Sequence, residues 1–173
     1  MIGREVNLVL NCRPSVLASL LLTGATLHAG SFFVSPEGSD EAAGTQDAPW
    51  ASVAKAGSSA AAGDTVTFLP GHYSGTLAPV NSGTAVAPIT FRSSVKHAAK
   101  LLGGNPVIEL AKRHHMHLEG FAVTPTDGNF LKAGECENIV ISNCHSEGSR
   151  GGYVSALIDR CRNVRIADCT FDR

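Results

Sequence analysis

The chain is poor in charge and in aromatic side chains: 17% of its 173 residues are charged and 6% are aromatic. The charged share falls below the roughly 25% of an average globular protein. Formal net charge is −1, and no basic run exceeds Lys112-Arg113. That leaves no electrostatic footprint for nucleic acid, so a nucleic-acid partner is excluded. Beyond residue 29 no long apolar run occurs, so the mature chain is expected to be soluble, with no membrane partner. The leucine-dense pattern of leucine-rich repeats is absent. A helical repeat would need apolar residues at 3.6-residue spacing, which the repeat described below does not show. Glycine, in contrast, is abundant at 18 residues. Many glycines with few aromatics point to many turns and short strands.

Residues 1–29 read as an export signal. Arg4 and Arg13 precede the apolar stretch Val16 to Leu22, and small residues follow at Thr23, Gly24, Ala25 and Ala29. Cleavage after Ala25 or Ala29 fits, with Leu27 making the second site less suitable. A secreted or periplasmic protein is expected, with residues 30–173 as its one domain. Cys12 leaves with the signal, and Cys136, Cys144, Cys161 and Cys169 remain. An even count in an exported protein raises the prospect of disulfides.

The spacing of those cysteines belongs to a repeat. Cys136-Glu137-Asn138-Ile139-Val140-Ile141-Ser142-Asn143-Cys144 returns as Cys161-Arg162-Asn163-Val164-Arg165-Ile166-Ala167-Asp168-Cys169, an offset of 25 residues. A weaker copy, Arg113 to Phe121, lies 23 residues upstream of the first. Each copy follows another short apolar segment: Val107 to Leu110, Asn129 to Ala133, and Ser155 to Ile158. A period of this size holding two or three short strands matches one coil of a β-solenoid. Within the motif apolar residues alternate, as a strand with one buried face requires. Met116, Ile139 and Val164 are therefore expected to stack inside, as are Leu118, Ile141 and Ile166. Phe121, Cys144 and Cys169 form a third column, and Val123, Ser146 and Phe171 a fourth. His117, Val140 and Arg165 point outward, as do Glu119, Ser142 and Ala167. Asn138 and Asn163 occupy the bend before the strand, where asparagine tolerates left-handed backbone and its amide reaches the next coil. Stacked cysteines sit about 4.8 Å apart with parallel side chains, which keeps their Cβ atoms slightly too distant for a disulfide. Packed free thiols are the preferred reading.

The first half reads as a cap. Ser31 to Ser35, Thr65 to Leu69 and Ala87 to Arg92 are short strands. Pro49 stands where a helix can begin, and Trp50, Val53, Ala54, Gly57 and Ala61 would share one face of it. A solenoid needs such an atypical terminal unit to cover its apolar end. The fold class is thus all-β: a parallel β-helix with a short N-terminal helical cap and about three coils. No C-terminal cap follows Phe171, so a truncated product or fragment is expected.

Phe33-Val34-Ser35-Pro36-Glu37-Gly38-Ser39-Asp40, Gly44-Thr45, Ala48-Pro49-Trp50, Gly63-Asp64-Thr65-Val66 and Pro70-Gly71-His72-Tyr73 follow in order. This series resembles the opening of secreted proteins in the pectin-lyase-like superfamily of right-handed parallel β-helices. Ser82-Gly83-Thr84 through Phe91 resembles the stretch after the first coil in alginate and chondroitin lyase-type members. The resemblance covers residues 31–173 and implies an acidic polysaccharide as partner, a monomer, and polysaccharide lyase chemistry. It also implies a site on an outward strand face built from successive coils, with loops between coils lining the groove. Because the scaffold also carries glycoside hydrolases, epimerases and adhesins, a non-catalytic carbohydrate-binding or surface module is the alternative.

A polyuronate lyase removes the C5 proton of a uronic acid after its carboxylate is neutralised by Ca²⁺ or by Arg and Asn donors. Arg150 and Tyr153, in a glycine-rich stretch between coils, are candidates for that work, as are Lys132 and His117. Asp127, Glu109 and Glu119 are the candidates for a calcium site. Each also has a plainer reading: Glu109 with Lys132 as a surface ion pair, His117 and Glu119 as a solvated face, and Asp127 as a turn residue. His114, His115 and His117 do not make a zinc site, because adjacent strand residues point to opposite sides.

Overall fold

The computed structural model describes residues 29–125, 129–146 and 155–171. The export-signal segment up to residue 28 lies outside them, as do Asp127, Arg150 and Tyr153. The chain winds coil upon coil. It opens with β1 (Ser31–Val34) and a short helix α1 (Val53–Ser59), then enters β2 (Thr65–Phe68) and β3 (Gly71–Ser74). The next coil holds β4 (Ile89–Ser93), β5 (Ala99–Leu102) and β6 (Ile108–Ala111). The one after holds β7 (His114–Glu119), β8 (Ala122–Thr124) and β9 (Asn129–Gly134). Then come β10 (Glu137–Ser142), β11 (His145–Ser146) and β12 (Ser155–Asp159), followed by β13 (Arg162–Ala167) and β14 (Thr170–Phe171).

Equivalent strands line up into three parallel sheets. The first has the order β1-β2-β4-β7-β10-β13, the second β14-β11-β8-β5-β3 and the third β12-β9-β6. This is a right-handed parallel β-helix of about four turns, with a single short helix among the described residues. Cross-strand register explains the repeat: Ile139 pairs with Met116 and Val164, and Ile141 with Leu118 and Ile166. The same column continues through Phe91 and Val66 to Phe32, so the solenoid begins upstream of the sequence repeat. The second sheet stacks Tyr73, Leu101, Val123, Ser146 and Phe171 inward. Together with Leu110, Leu131 and Phe121 these columns make one continuous core.

Each coil turns its corners with single left-handed residues. Lys112, Glu135 and Arg160 do so between the third and first sheets, at φ of 56°, 54° and 49°. Gly120, Asn143 and Asp168 do so between the first and second, and His115, Asn138 and Asn163 where each first-sheet strand begins. The asparagine ladder is present: the Asn163 amide donates to Asn138 Oδ1. At His115 it loosens to a 3.5 Å contact between Asn138 Nδ2 and the His115 ring. The four cysteines are free thiols, each held by carbonyls rather than by another sulfur; Cys136 Sγ, for example, lies 3.3 Å from the Leu110 and Gly134 oxygens.

The cap departs from the expected pattern in detail. The helix starts at Val53 under a Ser52 cap, and its inward residues are Val53, Ala56 and Gly57, whereas Ala54 and Ala61 are exposed. Pro49 and Trp50 precede it in extended chain; Trp50 bridges to Val34 and stacks on Phe32 at 4.6 Å. The hydroxyl of Ser52 accepts from the Lys55 backbone N–H at 3.0 Å, which outcompetes an earlier start. Asp64 then ties the helix exit to the chain entry: its carboxylate accepts from Gly30 N–H and Ala61 N–H, both at 2.8 Å. The helix lies against the stretch after β3, with Val80 N–H donating to the Gly57 carbonyl at 3.1 Å. Thr65–Phe68 and Ile89–Ser93, read from sequence as parts of the cap, are full members of the first sheet.

Candidate functional site

Parallel winding sends every second strand residue outward, so chemistry on this scaffold has to be assembled from neighbouring coils. On the third sheet Glu109 and Lys132 occupy one register position, and Leu157 the next. Lys132 Nζ lies 3.5 Å from Glu109 Oε1, and both side chains are well exposed. The pair is a solvated ion pair worth at most about 1 kcal/mol. The chain passes from the second sheet to the third at Thr124–Asn129 and again at Ser146–Ser155. Asp127 belongs to the first connection and Arg150 and Tyr153 to the second, all three outside the described residues.

His117 and Glu119 lie elsewhere, on the outer face of the first sheet. His117 shares a shallow groove of 440 Å³ with His115, Asn138, Asn163 and Arg165. Glu119 lines a second groove of 590 Å³ nearer the helix-bearing end, where it accepts from Asn143 Nδ2 at 3.4 Å. Glu109 and Glu119 therefore sit on different sheets, and Glu109 is already engaged by Lys132. They do not fit a shared calcium site, which needs several oxygens around one point. Among the described residues no three His, Cys, Asp or Glu side chains converge to hold a metal ion. Nor do the histidines of β7 combine, since His115 and His117 flank the inward Met116 without a carboxylate between them.

Sequence reasoning missed Arg92, Lys96, Gln46 and Phe33, which line the larger groove with Glu119. They come from four separate segments with no shared motif. The one available signal was alternation in Ile89–Ser93, which sends Arg92 outward between buried Phe91 and half-buried Ser93.

Winding, register and corner geometry together define the pectin-lyase-like right-handed parallel β-helix fold. No protein-family model matches the chain. Among curated proteins it is 38% identical over 95 residues to pectate lyase PEL9 of Emericella nidulans, covering 54% of this chain and 20% of that protein. It is 34% identical over 99 residues to the uncharacterized protein YwoF of Bacillus subtilis, covering 53% of this chain and 21% of that one. The chain thus spans about a fifth of the length of the curated relatives it matches. Among solved structures it resembles a rhamnogalacturonan lyase at TM-score 0.54 and 18% identity, over 83% of this chain and 51% of the other. It also resembles a GH136 lacto-N-biosidase of Eubacterium ramulus at TM-score 0.58 and 14% identity, over 83% of this chain and 34% of that one. At such identities the structural likeness speaks for the fold. Among the described residues no helix is long and apolar enough to cross a membrane.

Proposed function

We propose that the chain is part of an exported protein that acts on or binds acidic polysaccharides, with β-elimination at a uronic acid as its chemistry. The observation that carries this reading is the 38% identity to a pectate lyase across 95 residues of the same winding. In β-elimination a base takes the C5 proton, the C4–oxygen bond breaks, and a double bond forms between C4 and C5. The step is eased by cations or amide donors that hold the uronate carboxylate. On the third sheet Lys132 supplies a cation whose charge Glu109 already shares, so it suits carboxylate binding better than proton removal. Arg150 and Tyr153 are the proposed acid–base and carboxylate-binding groups. They belong to the connection that delivers the chain from β11 to that sheet.

A non-catalytic carbohydrate-binding or surface module is the second reading. It is favoured by the mutual neutralisation of Glu109 and Lys132, which leaves that face with little net charge to drive chemistry. One experiment separates the two. The purified chain is incubated with pectate, alginate or chondroitin, with and without added Ca²⁺, and near-ultraviolet absorbance is followed. Rising absorbance from unsaturated product is the expected result. Retardation in gels containing the acidic polysaccharide without any absorbance change supports the binding module. Neither signal overturns both readings.

A further inference from the structure

We propose that the 590 Å³ groove on the outer face of the first sheet is a binding subsite for an acidic sugar, separate from the third sheet and its connections. The inference rests on the acidic-polysaccharide reading above and names the face that grips the chain.

The groove floor is one register row. Phe33 pairs with Thr67, Thr67 with Arg92, and Arg92 with Glu119. At about 4.8 Å per strand this row runs roughly 14 Å, room for a short oligosaccharide. The volume falls within the range of small-molecule sites. Gln46, from the loop after β1, and Lys96, from the turn after β4, also line the space. Arg92 and Lys96 are exposed, and no carboxylate pairs with either among the described residues. That is unusual here, because Lys132, Arg160 and Arg162 each have an acidic partner. Glu119 stands one register position from Arg92, yet its carboxylate accepts from the Asn143 amide instead. Arg92 in turn is held only at Nε, which donates to Thr67 Oγ1 at 3.2 Å. Its two terminal nitrogens keep the planar fork that binds a carboxylate in two places.

The groove so offers a uronate what it requires. A guanidinium and an ammonium answer the carboxylate, and the half-buried Phe33 ring presents an apolar surface to the sugar's C–H face. Gln46, Asn143 and Glu119 supply donors and acceptors for hydroxyls. The two cations outnumber the single carboxylate, so an acidic sugar is preferred over a neutral one.

The test uses the full chain and a saturated oligogalacturonate as probe, with its methyl ester as the uncharged control, followed by calorimetric titration. The acidic oligomer should bind, weaken with added salt, and bind Arg92→Gln or Lys96→Gln roughly tenfold more weakly, as loss of a charge-assisted hydrogen bond implies. Lys100→Gln, a charge-matched change on the second sheet, should bind like the parent. Gln46→Ala, at an exposed loop position, should weaken binding several-fold without any folding defect, and circular dichroism checks the fold of each variant. If Lys132→Gln abolishes binding while Arg92→Gln and Lys96→Gln leave it intact, the groove is overturned and the acidic-polysaccharide reading survives. Equal binding of the methyl ester overturns the cationic subsite. If neither oligomer binds, the subsite and the broader reading fall together.

Discussion

Replacing Leu118 by alanine probes the stacked core at its most enclosed point. Leu118 is fully buried, with Phe91 and Ile141 as its register neighbours above and below. The change deletes three carbons, a transfer loss of about 2.4 kcal/mol at about 0.8 kcal/mol each. Parallel strands on both sides restrict collapse into the void, which brings the cost to about 3–5 kcal/mol. For a chain of this size that lowers Tm by roughly 6–15 °C. The adjacent residue, His117, points outward and is exposed, so His117→Ala should change stability by no more than about 0.5 kcal/mol. Urea unfolding followed by circular dichroism measures both, with the slope checked for constancy between variants. If His117→Ala cost as much as Leu118→Ala, or Leu118→Ala cost less than about 1 kcal/mol, the inward and outward assignment of β7 would be wrong, and with it the register of the first sheet.

Three further outcomes follow from the corners and the buried polar groups. Asn163 holds φ of 54° and donates to Asn138, so Asn163→Val should destabilise by about 2 kcal/mol and Asn163→Gly by less, as read from urea midpoints. Asp64→Ala removes two charge-assisted bonds from the helix exit and the chain entry; a loss of about 2–3 kcal/mol is expected in the same assay, with Asp64→Asn recovering part of it. Burial pushes the Cys144 thiol up to about 12 from an ordinary 9.0. The folded chain thus favours the neutral thiol, a contribution complete below about pH 9 and lost as pH climbs toward 12. Cys144→Ala should flatten that alkaline loss in stability–pH profiles, and iodoacetamide at pH 8 should modify Cys144 at least roughly tenfold more slowly than half-exposed Cys161.

The second half of the fold was legible because its coils repeat both spacing and residue type. Ile139 and Val164, Ile141 and Ile166, and the paired cysteines recur at one offset, and their alternation carries the burial pattern directly. The first half uses the same columns but fills them differently. Val66 and Phe91 stand where Leu118 and Ile141 stand later, with no cysteine or asparagine to mark the frame. The step from Ile89 to Met116 is also 27 residues, against 23 from Met116 to Ile139, so a fixed period fails there. The helix was misplaced because a proline permits a start that the Ser52 side chain then moves downstream. Of the candidate site residues, Glu109 with Lys132 met as their alignment required. Glu119 could not be assigned to its groove, because Arg92, Lys96 and Gln46 approach it from segments that share no pattern. Such a surface exists only after winding.

Single-residue left-handed corners also set the unit by which this molecule can change length. One residue inserted into β10 would turn Ile139 and Ile141 toward water and expel every later side chain from its column. A whole added turn, corner to equivalent corner, disturbs nothing beyond the two faces it separates, since each layer meets only its neighbours. Growth by complete turns is therefore nearly neutral and growth by fractions is ruinous, which makes the winding number an adjustable trait and the pitch a fixed one.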